Sequence, residues 1–240
     1  FLGASLGRGT SFDLSTADHA FVGETSRDSA GWSVATAGDV DGDGLDDILV
    51  GAPGQDSAGD SAGRAYLFLA STIATAGTHD LSAADVIFEA EAADDEAGTS
   101  VASAGDIDAD GLADVLIGAP GNSGADAGAG KAYLFLGGSL TTPGTVPLAD
   151  ADFAFLGIDR DDGAGRLVAG PGDLDGDGLD DIAVSADGSD EAETDAGAVY
   201  VVLGSSLGGV TEVDLGAADF TILGEARSDQ AGLGLAGAGD

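Results

Sequence analysis

This sequence predicts an all-β fold assembled from one four-stranded antiparallel sheet repeated along the chain, and three observations predict it. An acidic phrase is written three times: GDVDGDGLDDILVGAP from Gly38, GDIDADGLADVLIGAP from Gly105 and GDLDGDGLDDIAVSAD from Gly172. Its period is constant, with Asp39, Asp106, Asp173 and Asp240 each 67 residues apart; such regularity marks one structural unit copied in tandem. Finally, 42 glycines, 5 prolines and 5% aromatics, with apolar residues in short runs, describe short strands and tight turns rather than helices.

Within one period the elements read in order. The first is GWSVATAG at Gly31, repeated as GTSVASAG at Gly98, GRLVAGPG at Gly165 and GLGLAGAG at Gly232. The acidic loop follows, and then an apolar run: Ile48-Leu49-Val50, Val115-Leu116-Ile117 and Ile182-Ala183-Val184. Runs of this kind bounded by turn residues are strands buried on both faces. The next strand, AYLFLA at Ala65, AYLFLG at Ala132 and VYVVLG at Val199, aligns Tyr66, Tyr133 and Tyr200, and Phe1-Leu2 reads as the tail of an earlier copy. The last strand lies near Phe21, Phe88, Phe155 and Ile222, with a Leu and an Asp upstream, as in Leu14 with Asp18 and Leu81 with Asp85.

Four short strands separated by Gly- and Asp-rich turns form a propeller blade. A sheet with two apolar faces must stack on a neighbour, and stacking about an axis gives a β-propeller. The expected organisation of 1–240 is therefore one propeller segment. Its units lie near 31–97, 98–164 and 165–231, with partial units at 1–30 and 232–240, about three and a half blades.

Charge narrows the partners. With 44 acidic against 7 basic residues the formal charge is −37, so nucleic acid and anionic membrane surfaces are repelled. Cations are the natural partners. Disorder normally accompanies high charge with low hydrophobicity, but 43% of the chain is apolar and it is expected to fold. No stretch is long and apolar enough to insert in a membrane, and FLGASLGRGTSF contains no secretory signal. The lack of cysteine excludes a disulfide framework and a thiolate metal site.

The acidic loops carry the chemistry. Asp39, Asp41 and Asp43 alternate so that their carboxylates can converge, Gly44 permits the turn, the Leu45 carbonyl can face inward, and Asp47 can close the sphere. The second copy offers Asp106, Asp108, Asp110, Leu112 and Asp114, and the third Asp173, Asp175, Asp177, Leu179 and Asp181. All-oxygen donors of this kind suit a hard cation such as calcium. An EF-hand needs a bidentate Glu at its twelfth position and flanking helices. Here Val50, Ile117 and Val184 hold that position, so the ninth-position Asp is the closing ligand.

GWSVATAGDVDGDGLDDILVGAP followed by GRAYLF resembles the FG-GAP repeat of integrin alpha-subunit propellers and of many bacterial surface proteins, over the whole chain. The resemblance implies a seven-bladed ring with calcium on the rim away from the ligand-binding loops, hence three complete Ca²⁺ sites here and a fourth begun at Asp240. Seven units would need roughly 470 residues, so the expectation is an excerpt of a longer propeller, or two copies completing one ring. It also implies an extracellular or cell-surface location, with any signal peptide outside this segment. The sequence departs from the pattern at Ala30, Ala97, Ala164 and Ala231, which replace the eponymous Phe, and at Ser185-Ala186-Asp187, which replaces Gly-Ala-Pro.

Other residues are expected to do less. His19 and His79 are not one period apart and have no Cys or second His nearby, so each is given a surface or turn role. Trp32, aligned with Thr99, Arg166 and Leu233, reads as a local packing residue, and Arg64 and Lys131 as partners for loop acids. The connectors GQDSAGDSAG, GNSGADAGAG and GSDEAETDAG vary between copies, and variable loops on a repeated scaffold are where recognition sits. The third, with Asp187, Asp190, Glu191, Glu193 and Asp195, is suited to extra cations or a basic partner. No catalytic residue is assigned. The functional expectation is a calcium-stapled adhesion or protein-interaction scaffold binding a protein or surface glycan. The alternatives are an accessory module of a secreted hydrolase or lyase, and a structural cell-envelope component.

Overall fold

The computed structural model describes residues 13–140 and 142–237, which form sixteen β-strands with short 3-10 turns and no α-helix. The expectations at Phe1-Leu2 and Asp240 fall outside the described residues. Strand β1 (His19–Val22) precedes the first complete blade. That blade contains β2 (Ser33–Gly38), β3 (Asp47–Ala52), β4 (Arg64–Phe68), β5 (Gly77–Asp80) and β6 (Val86–Glu89). The second contains β7 (Ser100–Gly105), β8 (Asp114–Ala119), β9 (Lys131–Phe135), β10 (Gly144–Pro147) and β11 (Phe153–Leu156). The third contains β12 (Val168–Gly172), β13 (Asp181–Ala186), β14 (Ala198–Val202), β15 (Glu212–Asp214) and β16 (Phe220–Leu223).

Each blade is an antiparallel four-stranded sheet, β2-β3-β4-β6, β7-β8-β9-β11 and β12-β13-β14-β16. The register repeats with the sequence, Val50, Ile117 and Val184 standing opposite Tyr66, Tyr133 and Tyr200. One strand per repeat is additional to the four that the sequence predicts. β5, β10 and β15 leave their own blade and pair in parallel with the outer strand of the preceding one, β1, β6 and β11 respectively. Sequences such as GTHD and GTVP are short and largely exposed, so they carry no period-2 signal. Only the neighbouring edge makes them strands, and they cover that edge in return.

After each crossing strand the chain turns on a buried leucine, Leu81, Leu148 or Leu215. Asp85, Asp152 and Asp219 then accept the backbone N–H groups of Leu69, Leu136 and Leu203 at 2.8 to 2.9 Å. This is the role of the upstream Leu and Asp shared by the copies.

The core lies between the sheets. Leu49, Leu67 and Phe88 pack against Val115, Ile117, Tyr133 and Phe135, with the Phe88 and Phe135 ring centroids 4.8 Å apart. The opposite face of the middle blade sends Leu116, Leu134 and Phe155 against Ile182, Val184, Tyr200 and Val202. Alternate residues of one strand thus serve two interfaces, as a strand buried on both faces requires.

Close packing explains the Gly-Ala-Pro turn. A β-carbon on Gly51 or Gly118 would lie 2.0 Å from the carbonyl oxygen of Gly98 or Gly165 in the next blade. The third copy has Ser185 there, whose Oγ accepts the Leu167 N–H at 2.9 Å. Ala97 and Ala164, where the FG-GAP pattern has Phe, are fully buried at parallel bridges to Gly63 and Gly130.

Antiparallel alternation sorts the loops into two sets. The β2–β3, β7–β8 and β12–β13 loops emerge at one end of the blades. The variable connectors and the turns between blades emerge at the other.

Candidate functional site

Each acidic loop begins at a break in sheet register, between Thr36 and Gly38, Ser103 and Gly105, and Ala169 and Gly172. The glycine there has φ of +77, +82 and +90°, a left-handed conformation that costs glycine little. It swings the chain out of the ladder and into the loop. Inside, the first aspartate organises the turn through both oxygens. Asp39 accepts the N–H groups of Gly42 and Gly44 at 2.8 and 2.9 Å, Asp106 those of Asp110 and Gly111, and Asp173 those of Gly176, Asp177 and Gly178. These N–H donors hold the half-buried Asp173 carboxyl below its usual range.

Carboxylate oxygens of Asp39, Asp41 and Asp43 come within 4.8 Å of one another, as do those of Asp106, Asp108 and Asp114 and of Asp173, Asp175 and Asp181. Among the described residues these are the clusters able to hold a metal ion. The fifth-position residues act on the turn itself: Asp43, Asp110 and Asp177 each accept the N–H of Leu45, Leu112 or Leu179 at 2.8 to 2.9 Å. Asp110 and Asp177 stand outside the closest clusters of their loops, as Asp47 does in the first.

The ninth-position aspartate has a second task that the spacing does not reveal. Asp47, Asp114 and Asp181 are buried. One oxygen of each accepts the N–H of Val40, Ile107 or Leu174 within the loop at 2.7 to 3.0 Å. The other accepts the N–H of Ala70, Gly137 or Gly204 beyond the third strand at 2.8 to 3.0 Å. A carboxylate has about four acceptor sites, so two backbone bonds leave room for a cation. The donor set therefore fits a hard ion: all oxygen, several negative charges, and a turn already fixed by its own N–H groups.

Burial pushes the Asp114 carboxyl up to about 6, the charges of Asp108 and Asp106 adding to the effect against the lowering by its two N–H donors. Because 6 lies above the ordinary value of 3.8, the folded ion-free chain retains a proton that the unfolded chain has released. Its stability therefore falls as pH rises from about 4 to about 6, by on the order of 2 kcal/mol. Urea midpoints in chelator should fall more steeply over that interval for the native chain than for Asp114→Asn, and calcium should narrow the difference. Equal slopes would mean that Asp114 does not titrate there.

Adjacent loops are joined. The Asp39 carbonyl accepts the Ala113 N–H at 2.9 Å, the Asp106 carbonyl accepts the Asp180 N–H at 3.2 Å, and the Asp180 carboxylate accepts the Asp106 N–H at 2.7 Å. A second aspartate series was legible from the same period but is not part of the acidic phrase. Asp28, Asp95 and Asp162 are buried in the turns between blades and accept the N–H three residues earlier, from Thr25, Ala92 and Asp159. A test for period 67 applied to every Asp would have found it.

The expected pairing of Arg64 and Lys131 with loop acids is seen: Arg64 pairs with Glu24 and Glu89, and Lys131 with Glu91, Glu24 and Glu91 lying in the turns between blades. The same glutamates accept the Tyr66 and Tyr133 hydroxyls at 2.6 and 2.8 Å, tying each blade to the outer strand of its neighbour. Two other expectations, for the histidines and for Trp32, are corrected by the tertiary structure. His19 and His79 meet across the β1–β5 pair, Nδ1 to Nε2 at 3.0 Å with stacked rings; their separation of 60 residues hid a contact made by parallel pairing. Trp32 packs little and is 64% exposed.

The family model described as "FG-GAP repeat" matches residues 30–68, 97–135 and 164–202, each match running from the first strand of a blade through its acidic loop to its tyrosine strand. Integrin alpha-5 of Xenopus laevis is 34% identical over 178 residues, covering 71% of this chain and 16% of that protein. Integrin alpha-IIb of Homo sapiens is 33% identical over 181 residues, covering 72% and 16%. Integrin alpha-6 of Gallus gallus is 33% identical over 173 residues, covering 70% and 14%. The chain thus spans about one sixth of the length of these curated relatives.

Proposed function

The chain belongs to the FG-GAP repeat family, and on that footing we propose that it is a calcium-stapled β-propeller scaffold of an extracellular or cell-surface protein, serving adhesion or protein interaction without catalysis. The observation that carries this reading is the recurrence of one carboxylate cluster at one place in three successive blades. The proposed ligands are Asp39, Asp41, Asp43, the Leu45 carbonyl and Asp47, with Asp106, Asp108, Asp110, Leu112 and Asp114, and Asp173, Asp175, Asp177, Leu179 and Asp181, in the other loops. The repeating units are taken as 31–97, 98–164 and 165–231. Similarity to integrin alpha subunits supports the adhesion role and the surface location. No helix among the described residues is long and apolar enough to cross a membrane.

Calcium would neutralise the converging carboxylates and fix the turn that joins the first two strands of a blade. An affinity of about 10⁻⁴ to 10⁻³ M would suit an extracellular module. Calorimetric titration of the chelator-stripped chain with calcium should give about three equivalents by that site count. Asp41→Ala, Asp108→Ala and Asp175→Ala should each remove one. A titration without saturable heat, or one that these substitutions leave unchanged, would overturn the reading.

A further inference from the structure

The junctions between neighbouring acidic loops are unequal. Position eight of the loop, one residue before the buried ninth aspartate, is Ala113 in the second copy and Asp180 in the third. Where the first and second loops meet, the Ala113 N–H donates to the Asp39 carbonyl at 2.9 Å, and a methyl side chain offers no acceptor in return. Where the second and third meet, Asp180 holds Asp106 on both sides. Its N–H donates to the Asp106 carbonyl at 3.2 Å, and its carboxylate accepts the Asp106 N–H at 2.7 Å. From this difference we propose that Asp180 is a positioning residue coupling two calcium sites, so that an ion in the third loop tightens binding in the second, and the reverse. The proposal rests on the reading of the acidic loops as calcium sites and adds how two of them regulate each other.

The local structure makes room for this clasp. A β-carbon on Gly105 would lie 2.0 Å from the Asp180 carboxylate oxygen, so the glycine that breaks the sheet register also admits the side chain. Asp106 and Asp180 are both half-buried, and a bond accepted by a carboxylate is of the stronger, charge-assisted kind. Blade stacking does not demand it. The first two blades pack through their own apolar cluster with an alanine at the same place.

Each end of the clasp touches a proposed ligand. The Asp106 carboxylate gathers the N–H groups of Asp110 and Gly111 and lies in one cluster with Asp108 and Asp114. Asp180 directly precedes Asp181, whose carboxylate spans the N–H groups of Leu174 and Gly204. When the third loop is fixed by its ion, Asp180 is fixed with it, and the Asp106 backbone is then held through both its N–H and its carbonyl. Part of the ordering that the second loop needs is thereby complete before its own ion arrives, and shared ordering gives positive coupling. Two cations in neighbouring loops would by themselves repel, which gives coupling of the opposite sign. The sign therefore separates the clasp from charge alone.

Gly44, Gly111 and Gly178 each donate an N–H to the first aspartate of their loop. Their amide resonances in a proton–nitrogen correlation spectrum therefore report the three loops separately during a calcium titration. Disabling the third loop with Asp175→Ala should raise the calcium midpoint at Gly111 by about fivefold, the low end of coupling between sites. Asp108→Ala should raise the midpoint at Gly178 by the same factor, because coupling is reciprocal. Disabling the first loop with Asp41→Ala should leave Gly111 within about twofold, as for independent sites. In an Asp180→Ala background, Asp175→Ala should likewise move Gly111 by no more than about twofold. Asp180→Asn keeps an acceptor for the Asp106 N–H and loses the charge, so it should retain the coupling.

A Gly111 midpoint that ignores Asp175→Ala or falls in response to it, coupling that survives Asp180→Ala, or an Asp180→Asn variant that behaves like the alanine one would overturn the proposal. If all three glycines respond to calcium but titrate independently, only the coupling falls. If none responds, the calcium reading falls with it.

Discussion

Stripping calcium from the chain should lower its melting temperature by roughly 8–16 °C, and adding calcium back should restore it. With free calcium at about ten times Kd, each loop would contribute on the order of 1.4 kcal/mol by binding linkage, so three independent loops would contribute roughly 4 kcal/mol. For a chain of this size about 1 kcal/mol moves the midpoint by 2–4 °C. The structural cause is the crowding of carboxylate oxygens within 4.8 Å in each loop, which without a cation repel one another at the head of a blade strand. Differential scanning calorimetry with and without chelator measures the effect. A melt that does not move would remove calcium as a stabilising element, whatever its binding stoichiometry.

The largest single-residue effect is expected at Asp114. Asp114→Ala removes a buried carboxylate that accepts the N–H groups of Ile107 and Gly137 at 2.8 Å each. Two donors are then stranded away from water, at about 1–3 kcal/mol apiece, so the loss is about 4 kcal/mol with calcium present or absent. Asp108→Ala is the control. Its carboxylate is exposed and holds one N–H within the loop, that of Asp110, so its cost should be close to one site's calcium contribution and should vanish in chelator. Urea unfolding of both variants in calcium and in chelator separates the two roles. If Asp114→Ala costs no more than Asp108→Ala in chelator, the ninth aspartate is a ligand only.

Much of the fold was legible because it is repetitive. The Asp loops, the buried runs and the tyrosine strands recur every 67 residues, and each of those elements carries its own local pattern: alternating carboxylates, apolar runs, glycines at forced turns. The crossing strands β5, β10 and β15 were not legible, since their identity lies in the edge of the preceding blade. The same holds for the histidine pair, which parallel pairing of β1 with β5 brings together. Arg64 and Lys131 were noticed by period, but their partners Glu24 and Glu91 lie 40 residues upstream, on the far side of a blade interface.

The sequence by itself determined the all-β class, the repeating unit, the blade strands and the composition of the acidic loops. Each of these is a local or periodic property: burial on two faces sets the apolar runs, and carboxylates at alternate positions of a glycine turn set the character of the loops. Only the tertiary structure decided which oxygens converge, that the ninth aspartate also braces the backbone beyond the third strand, and that Asp180 holds Asp106 of the preceding blade. Those facts depend on how one blade stacks against the next. Stacking brings together residues from successive periods, whose relation no local pattern records.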